Sequence, residues 1–298
     1  MAERPTEMRH SAAQGLELRP AEEILDVLAS AQVDAARCVA SAIPEIAHGA
    51  TVAAQSIRAG GRLIYVAAGS SGLMALADAL ELPGTYGISP GQIVVRLAGG
   101  FDSLVAMKGG PEDDAAMGRQ EIEALALNSD DCVIALTASG ETPYPVSAIE
   151  TACATGARTV GLSNNPGTRI LELAEVGICL PTPPEVIAGS TRMGAGTAQK
   201  IALNMLSTLM AIELGHVHDG FMVNVIADNL KLKQRANGIV ASITGTNAEG
   251  ADAALTASNG AVKLAVLIAA GADDLAMAAS VLDQHKGHLR PALAALRI

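Results

Sequence analysis

From Arg62 onward, short β-branched or apolar runs alternate with stretches of helical periodicity, and no other feature restricts the fold of this chain so tightly. The runs are Arg62–Ala68, Ile93–Ala98, Cys132–Thr137, Arg158–Leu162 and Val176–Leu180. Most are separated by enough residues for a crossover helix, and strands joined that way run parallel with both faces of their sheet covered. The pattern therefore predicts an α/β fold, with a five-stranded parallel sheet between two helical layers.

Before the first strand, two segments carry apolar residues at spacings of three and four, Ala21–Ile43 and Ala47–Arg58, and Gly60-Gly61 closes them off. After the last strand, Ser190–Gly215 is rich in helix formers and Asn224–Gly238 follows with a second helical pattern. The tail reads as three short helices, Glu249–Ser258, Val262–Ala270 and Asp274–His285, broken at Asn259-Gly260 and Gly271. The expected division is a helical segment over 1–58, the α/β domain over 59–238 and a small helical domain over 239–298.

Charge and composition narrow the function. Twenty Lys and Arg against 31 Asp and Glu give a formal charge of -11, a field that repels phosphodiester backbones and anionic membranes. Neither a nucleic-acid nor a membrane partner is expected. A small anion would have to be held by local amides and hydroxyls. Half of the residues are hydrophobic, yet the chain has no Trp, 2 Phe and 3 Tyr, so the core must be aliphatic. The longest apolar stretch is interrupted by Lys263, Asp273 and Asp274, and the first residues lack a signal-type apolar run, so a cytoplasmic protein is expected. Cys38, Cys132, Cys153 and Cys179 show no metal-ligand spacing and read as reduced, buried thiols. His216 and His218 stand two apart without a third ligand, so they read as a solvated loop and no metal is expected.

Two small polar loops stand at strand ends, where ligands bind in open α/β sheets. After the first strand come Ser70 and Ser71 in AAGSSG; after the third come Ser139 and Thr142 in TASGETP. Hydroxyls beside the free amides of a helix start form a nest for a phosphate dianion, although a serine cap gives the same pattern. Two acids interrupt otherwise plain stretches, Glu81 in ALELPGTYG and Glu112 in GGPEDD. On their own they read as a solvated helix end and an acidic helix-starting turn.

These pieces sit within longer stretches. EVIAGSTRMGAGTAQK from Glu185 to Lys200, continued by NMLST from Asn204, is the most specific; GGRLIY, TASGETPY, RTVGLSNNPG and, more loosely, LDQHKGHLR accompany it. On them the chain resembles the N-acetylmuramic acid 6-phosphate etherases of the sugar isomerase (SIS) superfamily, almost without gaps from Thr6 into the tail. The resemblance implies a flavodoxin-like three-layer αβα fold and a carbon–oxygen lyase that splits the D-lactyl ether of the sugar phosphate during recycling of cell-wall sugars. It implies no cofactor, a small-molecule sugar phosphate as ligand, and a homodimer with its site at the interface. Glu81 and Glu112 fall on the family's functional glutamates. Ser70, Ser71, Ser139, Thr142, Glu185 and Ser190 fall on positions expected to bind substrate. Leu73, Glu141 and Gly194 stand where the family carries cations, and His10 where it carries Asn. Two other readings fit the same fold: a sugar-phosphate isomerase, suggested by Ser139-Gly140-Glu141-Thr142, and a non-enzymatic sugar-phosphate sensor.

Overall fold

The structure, a computed structural model, describes residues 4–106, 108–225, 227 and 230–296. All five expected strands form: β1 (Leu63–Ala67), β2 (Ile93–Leu97), β3 (Cys132–Thr137), β4 (Arg158–Ser163) and β5 (Val176–Cys179). They pair in parallel in the order β2-β1-β3-β4-β5. Helices α1 (Ala21–Cys38) and α2 (Ile43–Arg58) precede β1, α3 (Gly69–Tyr86) follows it, and α4 (Ala115–Glu123), α5 (Pro143–Thr155) and α6 (Arg169–Leu173) occupy later crossovers.

Strand side chains alternate between the two faces. Ile64 and Val66 of β1 and Val133 and Ala135 of β3 join Ile122, Tyr144, Ile149 and Ile170 in one core cluster. On the other face lies α2, where a β-carbon at Gly49 would be 3.4 Å from Val160 and 3.5 Å from Ile178. α2 buries Ile46, Val52 and Ile57, so the N-terminal helix is a covering layer of the sheet.

Where β4 and β5 pair, Gly161 stands opposite Gly177. A β-carbon at Gly161 would lie 2.6 Å from the Ile170 carbonyl oxygen, and one at Gly177 would lie 2.7 Å from that of Leu171. The two glycines make a flat patch on which the backbone of α6 rests directly.

The chain divides into two compact units, one of residues up to Ala79 with Gly91–Ser207, the other of Leu80–Pro90 with Thr208 onward. This differs from the division at 58/59 and 238/239 expected from sequence, because α2 is packed on the sheet and the second core gathers residues from Val223 onward. The long helix α7 (Gly194–Glu213) is followed by a hairpin of β6 (Val217–His218) and β7 (Phe221–Met222). Then come α8 (Leu230–Thr244), α9 (Ala248–Ala257), α10 (Val262–Ala269), α11 (Leu275–Gln284) and α12 (Leu289–Leu296). Val240, Ala265, Val266, Leu267, Ala278 and Ala292 are among the residues of the second core.

Three details depart from expectation. The helix expected over Asn224–Gly238 begins later and runs further, as α8 (Leu230–Thr244); positions 226, 228 and 229 of the expected span lie outside the described residues. A fourth tail helix forms beyond the three expected, α12, with Pro291 in its first turn, where its missing N–H costs nothing. The four cysteines are free, but only Cys132 is buried and Cys153 is exposed. Among the described residues no helix is long and apolar enough to cross a membrane.

Candidate active site

In this strand order the connections leave β1 and β3 in opposite directions, which opens a crevice at their carboxyl ends. Both hydroxyl loops expected from sequence emerge there. Ser70 and Ser71 occupy the first turn of α3, with Ser71 buried and Ser70 half-buried. The unpaired amides of that turn and the positive end of the helix dipole favour an anion at this position.

The loop after β3 is a hydroxyl cluster. Thr142 Oγ1 lies 2.7 Å from Thr137 Oγ1 and 3.2 Å from Ser139 Oγ, which also accepts from the Glu141 amide at 3.2 Å. The cluster is braced from behind by Asn165, whose side-chain amide donates to the Ala138 carbonyl at 2.9 Å and to Thr6 Oγ1 at 3.0 Å. Glu141 engages the start of α6: its Oε1 accepts from the Arg169 amide at 3.0 Å.

Glu112 lies in a 3-10 turn, Gly110–Asp113, ahead of α4, whose N-terminus is capped by Asp114 accepting from the Met117 amide at 2.8 Å. The Glu112 carboxylate reaches the first turn of α3, where a β-carbon on Gly69 would stand 2.5 Å from its Oε1. Partial burial and then the neighbouring Asp113 hold its pKa above the ordinary glutamate range. The structure therefore brings Glu112 to the Ser70–Ser71 turn.

Glu81 is elsewhere. It is exposed on α3, and the helical rise over the eleven residues from Ser70 amounts to roughly 16 Å. Past it, the end of α3 is fixed by a 2.8 Å bond between Tyr86 Oη and Thr208 Oγ1 and by Asn224 Nδ2 donating to the Tyr86 carbonyl at 3.0 Å.

Glu185 is buried and caps α7, its two oxygens accepting from the amides of Gly194 at 2.9 Å and Ala195 at 2.8 Å. That cap starts α7 at Gly194 rather than at Ser190, which lies half-buried in the preceding turn. Sequence reasoning passed over Asp78. Inside α3 this buried carboxylate accepts from Tyr65 Oη, Asn204 Nδ2 and Ser207 Oγ, each at 2.9 Å. Desolvation raises its pKa in spite of those three donors. An acid on the apolar face of an alanine-rich helix was the signal that could have revealed it.

His218 lies 3.6 Å from Asp219, and burial keeps its imidazole below the usual histidine range. Among the described residues no group of three or more His, Cys, Asp and Glu is placed to hold a metal ion.

The SIS domain family matches residues 28–164 and again 116–214, so the sheet and its switch-point loops are those of a SIS-domain protein. A phosphoheptose isomerase from Francisella tularensis shares the fold at a TM-score of 0.51 and 18% identity, over 65% of this chain and 100% of that one. Relatives in sequence are far more similar. An N-acetylmuramic acid 6-phosphate etherase of Streptomyces coelicolor is 46% identical over 257 residues, covering 86% of this chain and 83% of its own length. One of Deinococcus radiodurans is 40% identical over 293 residues, covering 97% and 95%. The chain belongs to the N-acetylmuramic acid 6-phosphate etherase family.

Proposed function

We propose that this protein cleaves the D-lactyl ether of N-acetylmuramic acid 6-phosphate to N-acetylglucosamine 6-phosphate and D-lactate, as a cytoplasmic carbon–oxygen lyase in cell-wall sugar recycling. The observation that carries the reading is the Glu112 carboxylate lying against the turn that bears Ser70 and Ser71. A phosphate held by that turn and by Ser139 and Thr142 presents the sugar to a base.

With the ring open and C1 an aldehyde, the proton on C2 is acidic. Glu112 removes it, and a carboxyl whose pKa is raised by burial is the better base for that step. The electron pair forms the C2–C3 double bond as the C3–O bond breaks, and Glu81 protonates the departing lactate oxygen. Glu81, now ionised, takes a proton from water as the hydroxide adds to C3, and Glu112 returns its proton to C2. No net redox change occurs, and both glutamates end as they began.

In this reading Glu81 comes from the second subunit of a homodimer. Support for that arrangement is the rise of roughly 16 Å along α3 between Ser70 and Glu81, more than one hexose can bridge. The other readings, an isomerase and a sensor, release no lactate. Incubating the protein with N-acetylmuramic acid 6-phosphate and coupling D-lactate to its dehydrogenase is the test: lactate release is expected, and its absence with retained hexosamine-phosphate binding overturns the proposal.

A further inference from the structure

We infer that Lys108 is the counter-ion for the carboxylate of the substrate's lactyl group. The inference rests on the etherase reading above and assigns a specificity residue to it.

The 3-10 turns Phe101–Leu104 and Gly110–Asp113 fold back over the carboxyl end of β2. They close on Gly99, where a β-carbon would lie 3.1 Å from Pro111 and 3.4 Å from Ser103, and Ser103 Oγ donates to the Gly100 carbonyl at 2.6 Å. Lys108 thereby lines two adjoining cavities. One, which at about 10 Å³ has room for no more than a water, it shares with Glu112, Gly69 and Gly72; the other, of about 470 Å³ and so the one with space for a carboxylate, it shares with Asp102, Ser103 and Pro111. Among the described residues Lys108 takes part in no ion pair.

The substrate brings two anions into a protein of formal charge -11. Its phosphate has the hydroxyl loops, and its lactyl carboxylate, entering the larger cavity beside Asp102, needs a cation there. The three positions at which the family carries cations cannot supply it. Leu73 is apolar and Glu141 is bonded to the Arg169 amide. Gly194 sits so that a β-carbon would be 3.1 Å from Glu185 and 3.2 Å from Ala35, which leaves little room for a long side chain. Lys108 stands on the Glu112 side of the crevice. Glu112 works at C2, and the lactyl ether is attached to the next carbon, C3. Because the carboxylate is present in ground and transition states alike, its counter-ion acts on binding more than on turnover.

The test compares the wild type with Lys108→Met and Lys108→Arg in initial rates of D-lactate release, with N-acetylglucosamine 6-phosphate as a product inhibitor that has the phosphate and lacks the lactyl group. Lys108→Met should raise KM about tenfold or more, the worth of one charge-assisted hydrogen bond, with kcat within about threefold. Lys108→Arg should restore KM, and the inhibition constant of the product should not move. An unchanged KM overturns the inference, as does a product inhibition constant that rises in parallel, since the lysine would then read the phosphate or only support the loop. Absence of lactate from the wild type overturns the etherase reading instead. Thermal shifts then decide about Lys108: wild type should favour N-acetylmuramic acid 6-phosphate over N-acetylglucosamine 6-phosphate and Lys108→Met should not, whereas equal shifts in both proteins sink it.

Discussion

Gly69 and Glu112 are in mutual dependence: the carboxylate occupies the space in which a side chain at residue 69 would begin, 2.5 Å from its Oε1, and the backbone there has φ of +52°. Glycine is needed on both counts. Gly69→Ala should displace Glu112 and lower kcat by roughly 10²-fold, the usual effect of misplacing a catalytic group by about 1 Å. It should cost about 1 kcal/mol of stability for the left-handed backbone. Steady-state kinetics and urea unfolding on the same variant check both; wild-type kcat would remove Glu112 from the chemistry.

Glu81→Gln and Glu112→Gln should each lower kcat by at least about 10²-fold while still binding N-acetylglucosamine 6-phosphate. If each site draws one glutamate from each subunit, mixing the two inactive variants after co-refolding should regain activity, because some heterodimers contain one intact site. Both residues in one subunit would give the same partial rescue only if the wild-type chain were present. A mixture as inactive as its components contradicts the shared site.

The raised pKa of Glu112 has two consequences with opposite readouts. As a base it must be ionised, so kcat/KM should fall on the acid side at a pH above the ordinary glutamate range. For stability, a folded pKa above the unfolded one gives a contribution that is complete below the unfolded value and lost as pH rises through the folded value. Glu112→Gln should therefore raise Tm at neutral pH, with the gain fading in acid. A gain that grows in acid would contradict the sign.

Asp78 ties β1 to α7 through three donors, and removing it leaves Tyr65 Oη and Asn204 Nδ2 without this acceptor, whereas Ser207 Oγ keeps the Asn204 carbonyl at 3.4 Å. Asp78→Ala should cost roughly 2 kcal/mol or more, since each of the two unsatisfied donors carries a penalty of about 1 kcal/mol or above. Urea unfolding measures it; a loss of less than about 1 kcal/mol would mean that the donors find other partners.

The sheet was legible because its strands, from Leu63 to Cys179, are short apolar runs set between stretches of helical periodicity. The two-residue strands Val217–His218 and Phe221–Met222 were not, because so short a run has no periodicity to detect. Ser70, Ser71, Ser139 and Thr142 were legible through their position after strands. Glu81 and Glu112 stood out as acids interrupting plain stretches, but only the family resemblance gave them a role, for an isolated acid has no catalytic pattern of its own. Glu185 was placed among substrate-binding positions, whereas here both of its oxygens are engaged by α7 amides. Asp78 was missed because its partners Asn204 and Ser207 are far away in sequence, and Lys108 because a single lysine in a loop has no pattern of its own.

The contact of α6 with Gly161 and Gly177 bears on how such a protein can drift. Where backbones touch through paired glycines, truncation removes nothing, and any added atom pushes against a carbonyl that cannot yield. Elsewhere on the sheet the fully buried Leu63, Ile64, Ile134, Leu136 and Leu162 remain open to shortening, at the usual cost of about 2–5 kcal/mol each. At the glycine pair mutational tolerance should thus be lopsided, with no side chain to lose and no room to gain one, and the sequences open to its descendants would be bounded from above in side-chain size at these two positions.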